Sequence, residues 1–308
     1  MVVVPVVIVV LGILGGVCYW FWDRYLRIHV VRLAEDTYAL LGGGGNTVVA
    51  FTSQGAVVVD PKFGLGARSV RRWLRQSPSG VRTVINTHYH YDHAQGNELY
   101  PGVEIVAHES TPVFMLSEDN SFNDPSWWQR HDSAMPNRLV AAGGEELSFD
   151  RVKLSLLTPG VAHTHGDLVA CLPQVDVVAT GDIFFNGFYP FFNGSAAGCS
   201  LPGMVETLRA LAARNPSALF VPGHGSPARA PHLIAYANYL DELTAKVRAA
   251  IAEHLSEDQA VGRISVSARG YTWLPSMLGF RILIATARAN VRWAYRILSA
   301  QGGSGEPA

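Results

Sequence analysis

The stretch NTHYHYDH, residues 86–93, decides the architecture of this chain. It directly follows residues 81–85, whose β-branched side chains predict a buried strand. Four metal-ligand side chains then occur within six positions: His88, His90, Asp92 and His93. Imidazole and carboxylate groups suit zinc and similar divalent ions, and burying four of them together is otherwise costly. The stretch predicts a metal site at the end of a strand; the alternative is a polar surface loop with unrelated histidines.

Three further side chains stand at the ends of predicted strands. They are His163 in GVAHTHGD, Asp182 in VVATGDIFF and His224 in LFVPGHG. Sites in layered α/β proteins are built from loops at one edge of the sheets, so this recurrence predicts that the three join the first cluster. His165, two residues from His163, is a competing ligand or a substrate-facing group.

The motifs HYHYDH, AHTHGD, TGD and PGHG, in this order, resemble those of the metallo-β-lactamase-fold hydrolase superfamily. The resemblance extends over about residues 30–255 and implies an α/β fold, a four-layer αββα sandwich, for a catalytic domain at residues 28–258. It implies that one zinc ion is held by His88, His90 and His163, the second by Asp92, His93 and His224, with Asp182 bridging them. Iron or manganese are alternatives, since the ligand types restrict the metal without fixing it.

The resemblance also implies an activity. Two divalent ions can ionise a shared water at neutral pH for attack on a carbonyl carbon, with Asp92 orienting the proton. We expect a small-molecule substrate, a lactam, a lactone or a related ester. A hydroxyacyl-thioester hydrolase similar to glyoxalase II is the alternative enzyme, and a membrane-tethered metal-binding protein without turnover is the alternative outside catalysis.

The composition limits the partners. The 308 residues carry 24 basic and 25 acidic side chains, a formal net charge of -1, which gives no electrostatic footprint for nucleic acid. The three cysteines, Cys18, Cys171 and Cys199, cannot form a disulfide framework. The sequence leaves the oligomeric state open.

The N-terminal residues 2–22 carry no charged side chain, and a helix of that length could span a bilayer. Tyr19, Trp20 and Trp22 at its far end are typical of a membrane interface, and the absence of an early basic residue favours an uncleaved single-pass anchor, residues 1–27, over a signal peptide. Because the arginines follow the segment, the positive-inside bias favours a cytoplasmic catalytic domain over a periplasmic or extracellular one.

Two other regions carry expectations. The aromatic insertion at residues 109–138 is long for a loop in a compact domain. Its Phe122, Trp127 and Trp128 either form an apolar wall over the metals or pack on the body of the domain. Residues 259–308 are expected to form a C-terminal helical extension with a flexible tail. Arginines recur along residues 277–298 at helical spacing, which fits a basic interfacial helix or a helix capping the domain.

Overall fold

A computed structural model describes residues 15–16, 19–20, 22–192, 198–278 and 281–303. Most of the expected anchor, residues 2–22, lies outside these ranges. Within them, none of the helices combines the length and the apolar character needed to cross a membrane.

The first sheet contains seven strands in sequential order. They are β1 (His29–Ala34), β2 (Thr37–Leu41), β3 (Thr47–Thr52), β4 (Gly55–Val59), β5 (Val81–Ile85), β6 (Glu104–His108) and β7 (Arg138–Val140). Strands β1 to β4 form an antiparallel meander, and β4 to β7 pair in parallel. Parallel neighbours end at the same edge of a sheet, so the loop after β5 opens at the edge where β4 ends.

The second sheet has five strands in the order β12-β11-β10-β9-β8. They are β8 (Glu145–Phe149), β9 (Val152–Leu157), β10 (Val169–Leu172), β11 (Val177–Asn186) and β12 (Leu219–Gly225). Strands β11 and β12 are parallel, which brings their carboxyl ends to one edge.

Alternating side chains join the two sheets. In β4, Val57 and Val59 point into a core shared with the second sheet. Ala56 and Val58 point to the opposite side, into a core shared with the helix Gly64–Trp73. This alternation follows from the period of two in a strand, and it lets both faces of β4 be buried.

Helices cover the outer faces of both sheets. They are α1 (Gly64–Trp73), α2 (Tyr91–Ala94), α3 (Thr111–Ser117), α4 (Pro125–Gln129), α5 (Leu201–Arg214), α6 (Ala230–Ala252), α7 (Glu257–Arg263) and α8 (Ala287–Gly303). Helix α1 packs on the first sheet, α5 and α6 pack on the second, and α8 packs on α6 and α7. The layers are therefore helix, sheet, sheet, helix, as expected.

The C-terminal extension is only partly helical. Strands β13 (Leu274–Leu278) and β14 (Arg281–Ala285) form an antiparallel hairpin where a helix from residue 277 was expected, so that prediction was wrong. Helix α8 begins after the hairpin, and its Arg292 and Arg296 form ion pairs with Glu257 of α7. Those two arginines bind α8 to the body of the protein, as expected of a capping helix.

Candidate metal centre

The seven expected ligands lie together at one edge of the sandwich. His88 and His90 occupy the loop after β5, and Asp92 and His93 lie in α2, which begins at once after it. The other three come from the second sheet: His163 precedes β10, Asp182 lies within β11 and His224 lies within β12.

The first cluster consists of three imidazoles and one carboxylate. The Nδ1 atom of His90 lies 3.0 Å from Nε2 of His88 and 3.2 Å from Nε2 of His163. Oδ2 of Asp182 lies 3.9 Å from Nε2 of His88 and 3.6 Å from Nε2 of His163. All of these atoms fall within 4.8 Å of one another, which is close enough to share one ion.

The second cluster consists of Asp92, His93 and His224. Oδ2 of Asp92 lies 3.2 Å from Nε2 of His224 and 3.9 Å from Nε2 of His93. Oδ1 of Asp182 lies 3.1 Å from Nε2 of His93 and 3.5 Å from Nε2 of His224. The two oxygens of Asp182 therefore face different clusters.

The donor atoms are those that divalent ions require. Asp182 Oδ1 and His93 Nε2 are buried and make no hydrogen bond, although both point into the centre. Groups of this kind are costly to bury without a partner, and a cation between them would satisfy both. Imidazole nitrogens with carboxylate oxygens fit zinc, and also iron or manganese.

Burial and charge set the protonation of the ligands. Burial lowers the pKa of His88 and His90 well below the usual range and that of His163 to about 4, so these rings are neutral at pH 7. Burial alone would raise the pKa of Asp182, but the neighbouring imidazoles, first that of His93, hold it well below its usual value. Three neutral rings beside an ionised carboxylate form a ligand set ready for a cation.

Asp60, at the end of β4, supports the histidine loop. Its Oδ1 accepts from the backbone N–H of Thr87 at 2.8 Å, and its Oδ2 accepts from Thr87 Oγ1 at 2.7 Å and lies 2.8 Å from His93 Nδ1. Thr87 Oγ1 also lies 3.0 Å from His88 Nδ1. One carboxylate thus orients a ring of each cluster, a common arrangement around metal sites.

Gly181 lets β11 deliver Asp182 to the centre. Its φ of 53° is left-handed, and the pairing of β11 with β12 shifts register on both sides of it. A Cβ at this position would overlap the Thr87 side chain, so the bend and the close approach both require glycine.

The aromatic insertion fulfils both alternatives. Trp128 is fully buried and donates its Nε1–H to Oδ1 of Asn123 at 2.6 Å, so it packs on the body. Phe122 lies against the His90 ring, with centroids 5.0 Å apart, and forms part of the wall of the centre. Trp127 stacks on His131 instead, with centroids 4.1 Å apart.

The competing ligand His165 does not join either cluster. Its ring stacks on Phe114 with centroids 5.6 Å apart. His108, a strand-end histidine, hydrogen-bonds Oγ of Ser110 at 2.8 Å and is structural.

Lys62 is a feature that sequence reasoning missed. It is fully buried, has a φ of 66°, and donates from Nζ to the carbonyls of Leu40, at 2.8 Å, and Gly45. Burial lowers its pKa to about 7, against the opposing effect of Asp60 and Asp92. The only signal in the sequence was its position two residues after Asp60.

A two-sheet sandwich with these seven side chains at one edge is the arrangement of a metallo-β-lactamase-fold protein. The sequence profile of the metallo-beta-lactamase superfamily matches residues 40–224, more than half of the chain, and the chain belongs to this superfamily.

Its curated relatives have two kinds of name. The chain is 29% identical over 155 residues to a hydroxyacylglutathione hydrolase of Brucella ovis, covering 46% of this chain and 52% of that protein. It is 27% identical over 138 residues to a metallo-beta-lactamase type 2 of Bacillus cereus, covering 44% of this chain and 49% of that protein. The chain thus spans about half the length of these relatives.

Solved structures resemble the fold. A metallo-beta-lactamase from Pontibacter korlensis matches with a TM-score of 0.55 at 20% identity, covering 70% of this chain and 99% of that one. A stereoselective inverting sec-alkylsulfatase from Pseudomonas sp. matches with a TM-score of 0.66 at 15% identity, covering 91% of this chain and 52% of that one. At these identities the likeness shows the fold alone.

Proposed function

We propose that the protein is a metal-dependent hydrolase in which the seven clustered side chains hold two metal ions. Zinc is the first candidate for these ions. The observation that carries the proposal is Asp182, a buried carboxylate that offers one oxygen to each of two ligand clusters. Residues gathered only for packing would not direct their polar atoms towards a common point.

When bound, two divalent ions would lower the pKa of a bound water towards about 7 and would polarise a carbonyl oxygen of the substrate. The chain's own residues do the rest. The neutral rings of His88, His90 and His163 supply lone pairs, and Asp60 fixes the ring of His93 through its Nδ1 atom. Asp92 is the least buried of the seven, with 14% of its side chain exposed, so it is placed to orient or accept a proton from an entering water.

The two thiols in the described part of the chain do not compete for this role. Cys199 is buried and burial raises the pKa of its thiol, and burial likewise raises the pKa of Cys171 to about 11. Both stay protonated at pH 7 and are poor nucleophiles.

A lactam, a lactone or a related ester is the proposed substrate, and a hydroxyacyl thioester is the second candidate. The names of the curated relatives support both candidates. A relative named as a metallo-beta-lactamase supports the lactam, and relatives named as hydroxyacylglutathione hydrolases support the thioester. Three of the C-terminal arginines, Arg263, Arg292 and Arg296, are paired with acidic side chains, so these three do not support recognition of a glutathione carboxylate.

The test is a substrate panel on the full chain loaded with zinc, after its metal content has been measured. We expect hydrolysis of a chromogenic lactam or of a lactone, and a thioester-only profile would reverse the ranking. Asp92→Asn is expected to lower turnover by at least about 10²-fold because it removes a ligand and a proton acceptor, with little change in folding.

Asp176→Asn provides the control, since Asp176 is exposed and lies outside the centre. Equal rates for the Asp92→Asn variant and the parent would refute the mechanism. A protein that binds two ions but hydrolyses no member of the panel would support the metal-binding alternative.

A further inference from the structure

Six large apolar side chains are exposed around one part of the molecule. They are Tyr19, Trp20, Trp22, Leu26, Leu65 and Ile284. They come from three separate parts of the chain: the N-terminal residues, the start of α1 and strand β14. Exposed apolar side chains that gather from distant parts of a chain indicate an interaction surface.

Aromatic contacts join the N-terminal residues to the hairpin. The ring of Tyr25 lies 5.2 Å from that of Trp273, between centroids, and the ring of Trp20 lies 6.4 Å from it. Trp273 directly precedes β13. Ile284 pairs with Pro275, two residues after Trp273, so Trp20 and Ile284 lie in the same region.

Backbone contacts join the same N-terminal residues to helix α1. The N–H of Gly43 donates to the carbonyl of Tyr25 at 2.9 Å. Gly43 is packed so closely that a Cβ on it would touch both the carbonyl of Leu26 and the Cα of Gly66. Leu65, which is 77% exposed, is thereby placed near Leu26.

The hairpin and the loop after β2 each form a hydrogen bond with the segment that carries Asp92. Ser276 of the hairpin hydrogen-bonds the hydroxyl of Tyr91 at 2.8 Å, and the N–H of Gly45 donates to the carbonyl of Asp92 at 3.0 Å. Asp92 and His224, with side chains 14% and 11% exposed, are the most open of the seven ligands. The segments that carry the exposed apolar residues thus border Tyr91 and Asp92, the second of which is one of the two more open ligands.

We propose that these six residues form a docking face for a phospholipid bilayer, and that the substrate enters the centre from the lipid. The occupant is suggested by the chain itself, because the uncharged residues 2–22 end within this face. Tyrosine and tryptophan prefer the membrane interface, and three of the six residues are of these types. This docking proposal rests on the proposed hydrolase, and it assigns the substrate to the class of amphipathic esters or lactones with a long acyl chain.

Added tryptophans test the docking face. Ile284→Trp and Leu65→Trp each place a reporter on the face, and Leu139→Trp places a matched reporter on β7, at the opposite edge of the first sheet. The full chain is reconstituted in phosphatidylcholine vesicles with or without brominated acyl chains, and each variant's fluorescence is compared with that of the parent. We expect quenching of the reporters at positions 284 and 65 and none at 139. Failure to quench at 284 and 65 overturns the docking face, as does burial of these positions in a dimer detected by sedimentation.

Paired substrates test the entry route. The zinc-loaded full chain in vesicles is given the acetyl and the dodecanoyl esters of p-nitrophenol. Leu65→Glu combined with Ile284→Glu is expected to lower the rate on the dodecanoyl ester by about tenfold and leave the acetyl ester rate unchanged, because glutamate opposes insertion of the face. Leu139→Glu should change neither rate.

An equal fall on both esters, or no fall on either, overturns the assignment of substrate class. Absence of hydrolysis of every ester, lactone, lactam and thioester by the zinc-loaded parent would overturn the proposed hydrolase instead, and the quenching result would still decide the docking face.

Discussion

Replacing Asp60 by asparagine should weaken metal binding while the protein stays folded. The carboxylate accepts two hydrogen bonds from Thr87 and lies within hydrogen-bonding distance of His93 Nδ1. An amide has only one acceptor oxygen, so its NH₂ group must face either the N–H of Thr87 or the ring nitrogen of His93. At least one of these hydrogen bonds is lost, together with the negative charge.

The magnitude follows from the bonds that are lost. A hydrogen bond to a charged group contributes about 1.5–3 kcal/mol. If that energy is lost only from the metal-bound state, the affinity falls by about 10- to 100-fold, which is also the usual effect of removing a group that orients a metal ligand. The cluster that contains His93 should lose more, because His88 of the other cluster is reached only through Thr87.

The assay is competition for zinc against a chromogenic chelator, with thermal unfolding of the apoprotein measured in parallel. Asp176→Asn is a matched control, since both aspartates have left-handed backbones, with φ of 57° at Asp60 and 53° at Asp176, and Asp176 is exposed. If Asp60→Asn binds both ions as tightly as the control, the supporting role assigned to this carboxylate is wrong.

Two further substitutions test the packing behind the centre. A Cβ at position 45 would overlap the His93 ring, so Gly45→Ala should displace that ring and reduce the zinc stoichiometry measured by mass spectrometry. Gly262→Ala is the control, because position 262 lies in a helix with open space around it. This control should bind zinc as the wild type does and be about 0.5–1 kcal/mol more stable. Because the pKa of Lys62 falls from 10.5 to about 7 on folding, the unfolded chain binds more protons between these pH values, and the free energy of unfolding should rise with pH there. Lys62→Met removes this contribution. In denaturant titrations of the apoproteins, the unfolding free energy of the wild type minus that of the variant should therefore grow by about 2 kcal/mol from pH 7 to 9. A difference that stays constant with pH would contradict the lowered pKa of Lys62.

The layered fold and the assembly of the candidate ligands could be predicted because both depend on local patterns. Strands such as β4 have apolar residues on both faces, and the ligands stand at the ends of these strands or close to them. The parallel pairing of β4 with β5, and of β11 with β12, then brings distant ligands to one edge. Order along the chain, together with the resemblance of the motifs to those of the superfamily, was sufficient to infer proximity in space.

The C-terminal hairpin and Lys62 could not be predicted because tertiary contacts decide them. The arginine spacing at residues 281, 288 and 292 fits a helix, yet residues 281–285 pair with β13, which is anchored on Tyr91 through Ser276. Short apolar segments are ambiguous between strand and helix until their partners are known. A buried lysine likewise follows no local pattern, since its two acceptors, the carbonyls of Leu40 and Gly45, lie 22 and 17 positions away.

The shared carboxylate of Asp182 ties together the two halves of the candidate centre. A change at this one position alters an oxygen that faces each cluster, so we expect a substitution of Asp182 to affect both halves at once. An ion bound to one cluster would neutralise part of the negative charge that Asp182 offers to the other cluster. Binding of the first ion and binding of the second are therefore expected to be thermodynamically coupled.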